Sequence, residues 1–202
     1  MAEIFEIDWR WVFMKRIIIA ISGASGSIYG IDLLKKLQAI NGIETHLIIS
    51  EWAKKNIELE TNYSLNEVKK MADYYYSNHN LGAKISSGSF RADEMVIVPA
   101  SMKTVAGIAI GFDEDFIMRS ASVALKEQRK LIIVPRETPL SVIHLENLTK
   151  LARLGVHIIP PMPAFYNHPQ SIQDIVDHQS MKVLDSLEIE TNFANRWDGE
   201  DQ

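Results

Sequence analysis

The sequence contains no cysteine, and this absence limits the chemistry open to the protein. It excludes disulfide bonds, thiolate metal ligands and a cysteine nucleophile, and it is typical of a cytoplasmic protein. No apolar run reaches the length needed to cross a bilayer, and no pair of the six histidines has metal-ligand spacing. A net charge of −5 counts against nucleic acid as the main partner. We therefore expect a cytoplasmic protein with no metal, nucleic-acid or membrane partner.

The chain is long enough to bury a substantial core. It has 202 residues, of which 47% are hydrophobic. The first 13 residues are acidic and aromatic and show no strand or helix periodicity before Met14, Lys15 and Arg16. We expect residues 1–13 to be an extension that the fold does not need, and residues 14–202 to form one domain with a C-terminal tail.

The most informative stretch joins a short apolar run to a glycine-serine turn. The β-branched run Ile17–Ile21 predicts a strand covered on both faces, and Gly23 and Gly26 permit a tight turn after it. Ser25 and Ser27 are N-cap residue types, and a helical pattern follows them. This geometry either forms an ordinary β-to-α connection or directs backbone N–H groups at an anion. Because the spacing is not G-x-G-x-x-G, a mononucleotide is favoured over a dinucleotide.

Strands and helices alternate along the rest of the chain. Further strands are predicted at 44–50, 95–99, 131–134 and 156–159, and residues 74–82 are predicted to be irregular. Helices are predicted at 28–37, 51–60, from Ser64, at 101–110, from Asp113 or Asp115 to about Lys130, at 141–154, and at 171–187 with Ile172 on its apolar stripe. Residues 85–90 form a serine-rich linker or flap. The pattern predicts a three-layer α/β domain with a parallel sheet of five or six strands.

Polar residues follow the end of almost every predicted strand. In open α/β sheets this edge is where ligands bind, so we expect the site there. The groups concerned are Ser22–Ser27, Ser50, Ser101–Thr104, Arg136 with Glu137, and Tyr166.

Several charged side chains have two interpretations. Glu60 ends an apolar helix face and is therefore solvated, paired or protonated. Arg119 and Lys126 lie along one line of a helix, as a solvated face or as an anion clamp. Together with Arg136 and Lys182 they exceed what one mononucleotide phosphate requires, which favours a second phosphate-bearing substrate.

Five motifs in this order resemble the UbiX family of flavin prenyltransferases, and especially members once classed as components of phenolic-acid and hydroxybenzoate decarboxylases. The resemblance extends from about Met14 to Trp197. The motifs are Ile21–Gly26, Ile85–Phe90, Leu125–Glu127, Pro135–Leu140 and Pro160–Tyr166. One departure is Pro99-Ala100-Ser101, where many relatives have Pro-Cys-Ser.

The resemblance implies a fold, an assembly and a reaction. The fold is a Rossmann-type, flavodoxin-like domain in a homododecamer. The reaction transfers a dimethylallyl group from dimethylallyl monophosphate to N5 and C6 of reduced FMN, and a UbiD-type decarboxylase uses the prenylated FMN.

The resemblance also assigns roles to individual residues. It implies FMN contacts by Gly23, Ala24, Ser25, Ser50, Ser101, Met102, Lys103, Thr104 and Arg136. It implies prenyl-phosphate contacts by Tyr166 and Lys182. It also implies that the same pocket is lined by Glu60, Lys126, Glu137 and Trp197. Arg119 is expected to bind the same substrate, because it belongs to the anion clamp considered above. The expected catalytic residues are Ser25, Glu60, Lys126 and Glu137. Removal of the C6 proton falls to Ser25 or Glu137, directly or through phosphate.

Two other functions are compatible with a flavin fold. An FMN-dependent decarboxylase would need no second phosphate clamp, which Lys126, Tyr166 and Lys182 would supply. A non-catalytic, flavodoxin-like FMN carrier would need neither Glu60 nor the Arg136-Glu137 pair in the crevice.

Overall fold

A computed structural model describes residues 14–191, so the expected extension at residues 1–13, the end of the tail and Trp197 lie outside the described residues. The strands are β1 Lys15–Ile21, β2 Ile43–Ile49, β3 Tyr74–Ser77, β4 Glu94–Ala100, β5 Lys130–Pro135 and β6 His157–Ile158. The helices are α1 Ser27–Gln38, α2 Glu51–Glu60, α3 Leu65–Lys70, α4 Met102–Ile110, α5 Phe116–Lys126, α6 Val142–Arg153 and α7 Ile172–Ser186. A short 3-10 helix covers Lys84–Ser86.

The six strands form one parallel sheet in the order β3-β2-β1-β4-β5-β6. This is the order of dinucleotide-binding folds, and without the edge strand β3 it becomes the flavodoxin order. The chain leaves β1 toward β2 on one side and continues from β4 toward β5 on the other. The predicted Rossmann-type domain is confirmed, with its switch point between β1 and β4.

Helices cover both faces of the sheet, which explains why the central strands are apolar throughout. Ile17, Ile19 and Ile21 of β1 pack with α1, α2, α3 and α7 on one face. Ile18 and Ala20 point to the other face and pack with α4, α5 and α6. All five side chains are at most 3% exposed. The expected three layers are therefore present.

The prediction of an irregular segment over residues 74–77 is wrong. Tyr74–Ser77 forms β3 and pairs in parallel with β2, so that Tyr74 lies beside His46 with ring centroids 4.9 Å apart. Tyr76 packs on the hydrophobic core and hydrogen-bonds His46 at 3.1 Å. A three-tyrosine run has strand propensity, but its partner lies about thirty residues earlier and gives no local signal.

Two predicted details at helix ends are also wrong. The fifth helix ends at Lys126 instead of near Lys130, because Lys130 already begins β5. The start of this helix is as predicted, because Asp115, one of the two predicted caps, accepts a hydrogen bond from the Met118 amide at 2.9 Å. The second wrong detail is Ile172, which was expected on the apolar stripe of the last helix. Ile172 is 81% exposed, because it lies in the first turn of α7.

The serine-rich segment is attached to the domain. Ile85 is 1% exposed and belongs to the core on the α4–α6 side of the sheet. Arg129 donates a hydrogen bond of 2.7 Å to the Gly88 carbonyl from the connection before β5. These two contacts hold the segment against α5 and β5.

A buried polar network joins α1 to α7. Asp32 is 7% exposed and accepts hydrogen bonds from Lys36 and Ser180. Gln173 donates to the second Asp32 oxygen at 3.1 Å, and Lys36 also pairs with Asp177. Because a buried charge is costly without partners, this network makes the relative position of the two helices specific. It links the helix after the glycine turn to the helix that carries Lys182.

Candidate active site

The ends of β1 and β4 are joined by one buried serine. Ser22 Oγ donates to the Pro99 carbonyl at 3.0 Å and accepts from the Ser101 amide at 2.7 Å. Ser22 is 1% exposed, so its hydroxyl group is shielded from water. Ser22 therefore aligns the glycine turn after β1 with the polar turn after β4, at the point where open α/β sheets bind ligands.

A cleft of about 490 Å³ opens at this edge of the sheet. It brings together residues that follow β1, β2, β3 and β4. Five of its residues are predicted from the sequence, namely Gly23, Ser50, Ser101, Lys103 and Thr104. Six are not predicted, namely Glu51, Trp52, Asn78, His79, Glu114 and Asp115.

Two helices point their N-terminal ends at the cleft. Ser50 caps α2 by accepting from the Ala53 amide at 3.2 Å, and Ser101 caps α4 by accepting from the Thr104 amide at 3.4 Å. Both caps keep their helix dipoles directed at the same space, which suits an anion. Lys103 is the cation of the cleft lining, and it pairs with Glu114 at 3.0 Å.

Gly23 makes room for a tryptophan at the rim of the cleft. A Cβ at Gly23 would lie 2.7 Å from Trp52 Cβ, closer than real Cβ contacts come. Trp52 is 66% exposed and carries Lys55 Nζ at 4.5 Å from its ring centroid. The absence of a side chain at position 23 therefore allows an exposed indole to stand beside the cleft.

The N-terminus of α1 is capped by a distant carboxylate. Serine caps are expected at Ser25 or Ser27, but the N-cap is Gly26 at φ 99°, a left-handed conformation that glycine adopts easily. Glu60 accepts hydrogen bonds from the Gly26 amide at 2.8 Å and the Ser27 amide at 3.3 Å. The Glu60 side chain is thus paired, and it occupies the donors that the sequence assigned to a phosphate. Ser27 Oγ is buried beside them without a hydrogen-bond partner.

Three other predicted FMN residues border this region. Ala24 accepts from Asn56 Nδ2 at 3.1 Å, which fixes the turn against α2, and Ser25 follows it half-buried. Met102 opens α4 and packs on the core cluster of the α4–α6 face.

Arg136 and Glu137 leave the end of β5 in an exposed segment. The Arg136 amide donates to the Ala100 carbonyl at 3.1 Å, next to Ser101. Burial raises the pKa of Tyr29, and the Arg136 guanidinium opposes that rise. Glu137 accepts from the Thr138 amide at 3.0 Å.

The remaining predicted cations lie outside the cleft lining. On α5, Arg119 pairs with Asp113 at 3.1 Å and Lys126 pairs with Glu127 at 2.7 Å. The Lys126 ammonium in turn holds the pKa of Glu127 below its ordinary value. Both pairs are partly or largely exposed, so their net stabilisation is small and an anion can compete for the cations.

The predicted prenyl-phosphate residues belong to another part of the fold. Tyr166 lies in the proline-rich segment after β6 and hydrogen-bonds His178 of α7 at 2.9 Å. Lys182 lies one turn further along α7 and is exposed. Across residues 14–191 no group of three or more histidine or acidic side chains is arranged to hold a metal ion. Within the same range, no helix is long and apolar enough to span a bilayer.

Comparisons with known proteins agree with this geometry. The flavoprotein family model matches residues 13–184. Flavin prenyltransferase LpdB of Lactiplantibacillus plantarum is 64% identical over 93% of this chain and 100% of its own. The chain belongs to the UbiX-like flavin prenyltransferases.

Two solved structures place the same fold in this family. The dodecameric FMN-dependent UbiX-like decarboxylase of Escherichia coli O157:H7 has a TM-score of 0.90 and 50% identity, covering 91% of this chain and 100% of its own. AnUbiX (PadA1) in complex with FMN and dimethylallyl pyrophosphate has a TM-score of 0.91 and 45% identity, covering 93% and 100%.

Some cleft residues of this UbiX-like chain were not predicted from the sequence, because they reach the cleft through contacts between distant parts of the chain. Asn78 and His79 follow β3, so recognising that strand would have placed them at the site edge. Asn78 also binds α5, because its side-chain oxygen accepts from the Ile117 amide at 3.0 Å. Trp52 had a signal, since it lies two residues after the strand-end Ser50.

Proposed function

We propose that this protein transfers the dimethylallyl group of dimethylallyl monophosphate to N5 and C6 of reduced FMN. The observation that carries the proposal is the cleft at the β1/β4 switch point, with two helix N-termini directed into it, in a chain that is 64% identical to a flavin prenyltransferase. The solved AnUbiX structure is a complex with FMN and dimethylallyl pyrophosphate, which carries the same dimethylallyl group as the proposed substrate. One molecule of each substrate gives prenylated FMN and inorganic phosphate, and no metal enters the balance.

The cleft residues fit the flavin mononucleotide. Ser50, Ser101 and Thr104 offer hydroxyl groups beside the N-termini of α2 and α4, and Lys103 offers a cation. In this proposal they bind FMN together with the Gly23–Ser25 turn, Met102 and Arg136. Trp52 is exposed at the rim, where an aromatic face can stack on a flat ring system.

The prenyl phosphate belongs beside Tyr166 and Lys182, with Arg119 and Lys126 as further cations and Trp197 as an aromatic neighbour. Breaking the allylic C–O bond leaves charge on the phosphate, which an ammonium, a guanidinium and a phenol hydroxyl stabilise. The allyl fragment carries positive charge that aromatic faces attract, worth about 2 kcal/mol in a dry site. The C6 proton of the flavin passes to Ser25 or Glu137, directly or through the phosphate.

We further propose that neighbouring copies of the chain complete this site. The proposed substrate contacts lie on separate elements, because the cations Arg119 and Lys126 are on α5 and Tyr166 is in the proline-rich segment after β6. None of Arg119, Lys126 and Lys182 lines the cleft. Exposed apolar side chains at Val142, Ile143 and Phe165 offer contact area for such copies. A dodecamer is the proposed assembly, in line with the dodecameric relative from E. coli. Light scattering tests it, and a monomer at micromolar concentration would contradict it.

The product and the location complete the proposal. The proposed recipient of prenylated FMN is a UbiD-type decarboxylase, as the resemblance to the UbiX family implies. The location is cytoplasmic, in keeping with the absence of cysteine from all 202 residues.

The decisive experiment is anaerobic incubation with reduced FMN and dimethylallyl monophosphate, followed by mass spectrometry of the released flavin. The expected result is a flavin heavier by one C5H8 unit and an equal amount of inorganic phosphate. Unmodified FMN from protein shown to bind both substrates would favour the alternative, an FMN-dependent decarboxylase. The E. coli relative bears that name, which is the specific reason to keep this alternative.

A further inference from the structure

Tyr166 is held by a buried histidine that none of the sequence motifs includes. Tyr166 Oη and His178 Nε2 are 2.9 Å apart, and the two rings meet edge to face with centroids at 5.8 Å and an interplanar angle of 79°. His178 is 6% exposed, whereas Tyr166 is 43% exposed. The histidine therefore holds the tyrosine from the protein side, and the tyrosine faces outward.

Consecutive residues of α7 attach the proline-rich loop at two points. Next to His178, Gln179 donates to the Ile159 carbonyl at 3.2 Å, directly before the loop begins. The residue after it, Ser180, hydrogen-bonds Asp32 of α1. Because α7 is itself tied to α1, the position of Tyr166 is set relative to the helix that follows the glycine turn.

The protonation of His178 decides what the Tyr166 hydroxyl can do. Burial lowers the pKa of His178, the Lys182 ammonium lowers it further, and Asp185 opposes the shift. The ring is therefore neutral at pH 7 and has one N–H to donate. With the proton on Nε2, the ring donates to the phenol oxygen, and the Tyr166 O–H can donate to an anion. With the proton on Nδ1, Nε2 is the acceptor, the Tyr166 O–H donates its hydrogen bond to the ring, and the hydroxyl offers a phosphate only lone pairs.

We propose that His178 is a positioning residue for the prenyl phosphate, donating from Nε2 so that Tyr166 directs its hydroxyl proton at the phosphate. The inference rests on the proposed function, in which Tyr166 and Lys182 bind that phosphate. Lys182 follows His178 by four residues, which places both on one side of α7. A donor hydroxyl and an ammonium then act on the same anion, while His178 itself does not contact it.

The test is calorimetric titration of the full chain, loaded with oxidised FMN so that the proposed reaction does not occur, with dimethylallyl monophosphate. His178→Phe keeps the ring volume and removes the hydrogen bond, so affinity should fall about tenfold. His178→Gln should restore most of it, because its amide N–H reaches the same place, whereas the shorter His178→Asn should not. The exposed His157 hydrogen-bonds Ser186, the last residue of α7, at 2.7 Å, so His157→Phe removes a histidine contact with the same helix without touching Tyr166 and is the matched control with unchanged affinity. FMN affinity should be unchanged in all four variants.

A double variant distinguishes positioning from general damage. Combining His178→Phe with Tyr166→Phe should weaken binding no more than Tyr166→Phe alone. Additive losses, or equal affinities of His178→Gln and His178→Asn, would overturn the proposal. If His178→Phe does not fold, the comparison of glutamine with asparagine decides. Because binding is read without turnover, failure of the wild-type protein to form prenylated FMN would overturn the proposed function and leave this test intact.

Discussion

Replacing Glu60 with alanine should destabilise the turn at which the flavin is proposed to bind. The Glu60 carboxylate accepts from the amides of Gly26 and Ser27 at 2.8 and 3.3 Å. The N-cap residue Gly26 has no side chain that could replace it, and α1 has no acidic residue in its first turn. A contact from the last residue of α2 therefore does what a local serine or aspartate does in other helices.

The size of the effect follows from the two parts of this contact. Loss of a side-chain cap costs about 1 kcal/mol, and loss of a negative charge at a helix N-terminus costs about 0.3–1 kcal/mol. Glu60 is exposed, so its removal leaves no cavity to add to the cost. We expect the free energy of unfolding to fall by about 1–2 kcal/mol. In a chain of this size each kcal/mol lowers Tm by about 2–4 °C.

Urea and thermal unfolding of matched variants measure this loss. Glu58 lies on the same helix, is exposed and makes no ion pair or hydrogen bond with the described residues, so Glu58→Ala is the control. Glu60→Gln keeps an acceptor oxygen without the charge and should fall between the wild-type protein and Glu60→Ala. Equal unfolding free energies for Glu60→Ala and Glu58→Ala would refute the assignment of Glu60 as the cap of α1.

Three further predictions concern the cleft and the core. Gly23→Val should abolish co-purification of flavin, read as absorbance, whereas Gly82→Val, whose nearest neighbour atom is 3.8 Å away, should not. Ser22→Ala should lower the unfolding free energy by about 1–3 kcal/mol, because the Ser101 amide loses its acceptor while the Pro99 carbonyl keeps only the bond from the Ser22 amide; a loss below about 0.5 kcal/mol would count against the role given to this serine. Burial holds the pKa of His46 below its ordinary value, although Glu44 opposes the shift. The neutral, buried His46 therefore contributes its full stability above the pKa that it has in the unfolded chain. This contribution is lost as the pH falls through the lower pKa that it has in the folded protein. Urea titrations from pH 7 to pH 5 should show that loss, and His46→Gln should show a smaller one.

The sequence predicted the parts of the fold that leave local signals. Apolar runs such as Ile17–Ile21 identify buried strands. Ser64 and Ser141 mark helix starts, because each serine accepts a hydrogen bond from the amide three residues later. The alternation of these elements, with short connections, leaves few topologies besides a parallel sheet between helix layers. The strand ends then locate the site edge, and five of the predicted residues do line the cleft, among them Ser50 and Ser101.

What local signals could not predict are contacts between distant parts of the chain. Tyr74–Ser77 becomes a strand only because β2 provides its partner. Asn78 and His79 therefore reach the cleft for a reason that no neighbouring residue reveals.

The sequence by itself determined most of the element types, the edge of the sheet where the site is proposed and the family, because each depends on patterns within about ten residues or on motif order. Only the tertiary structure decided that Glu60 caps α1 across thirty-four residues and that His178 holds Tyr166. The physical reason is that a hydrogen bond depends on atoms within about 3 Å in space, and distance along the chain does not report that separation.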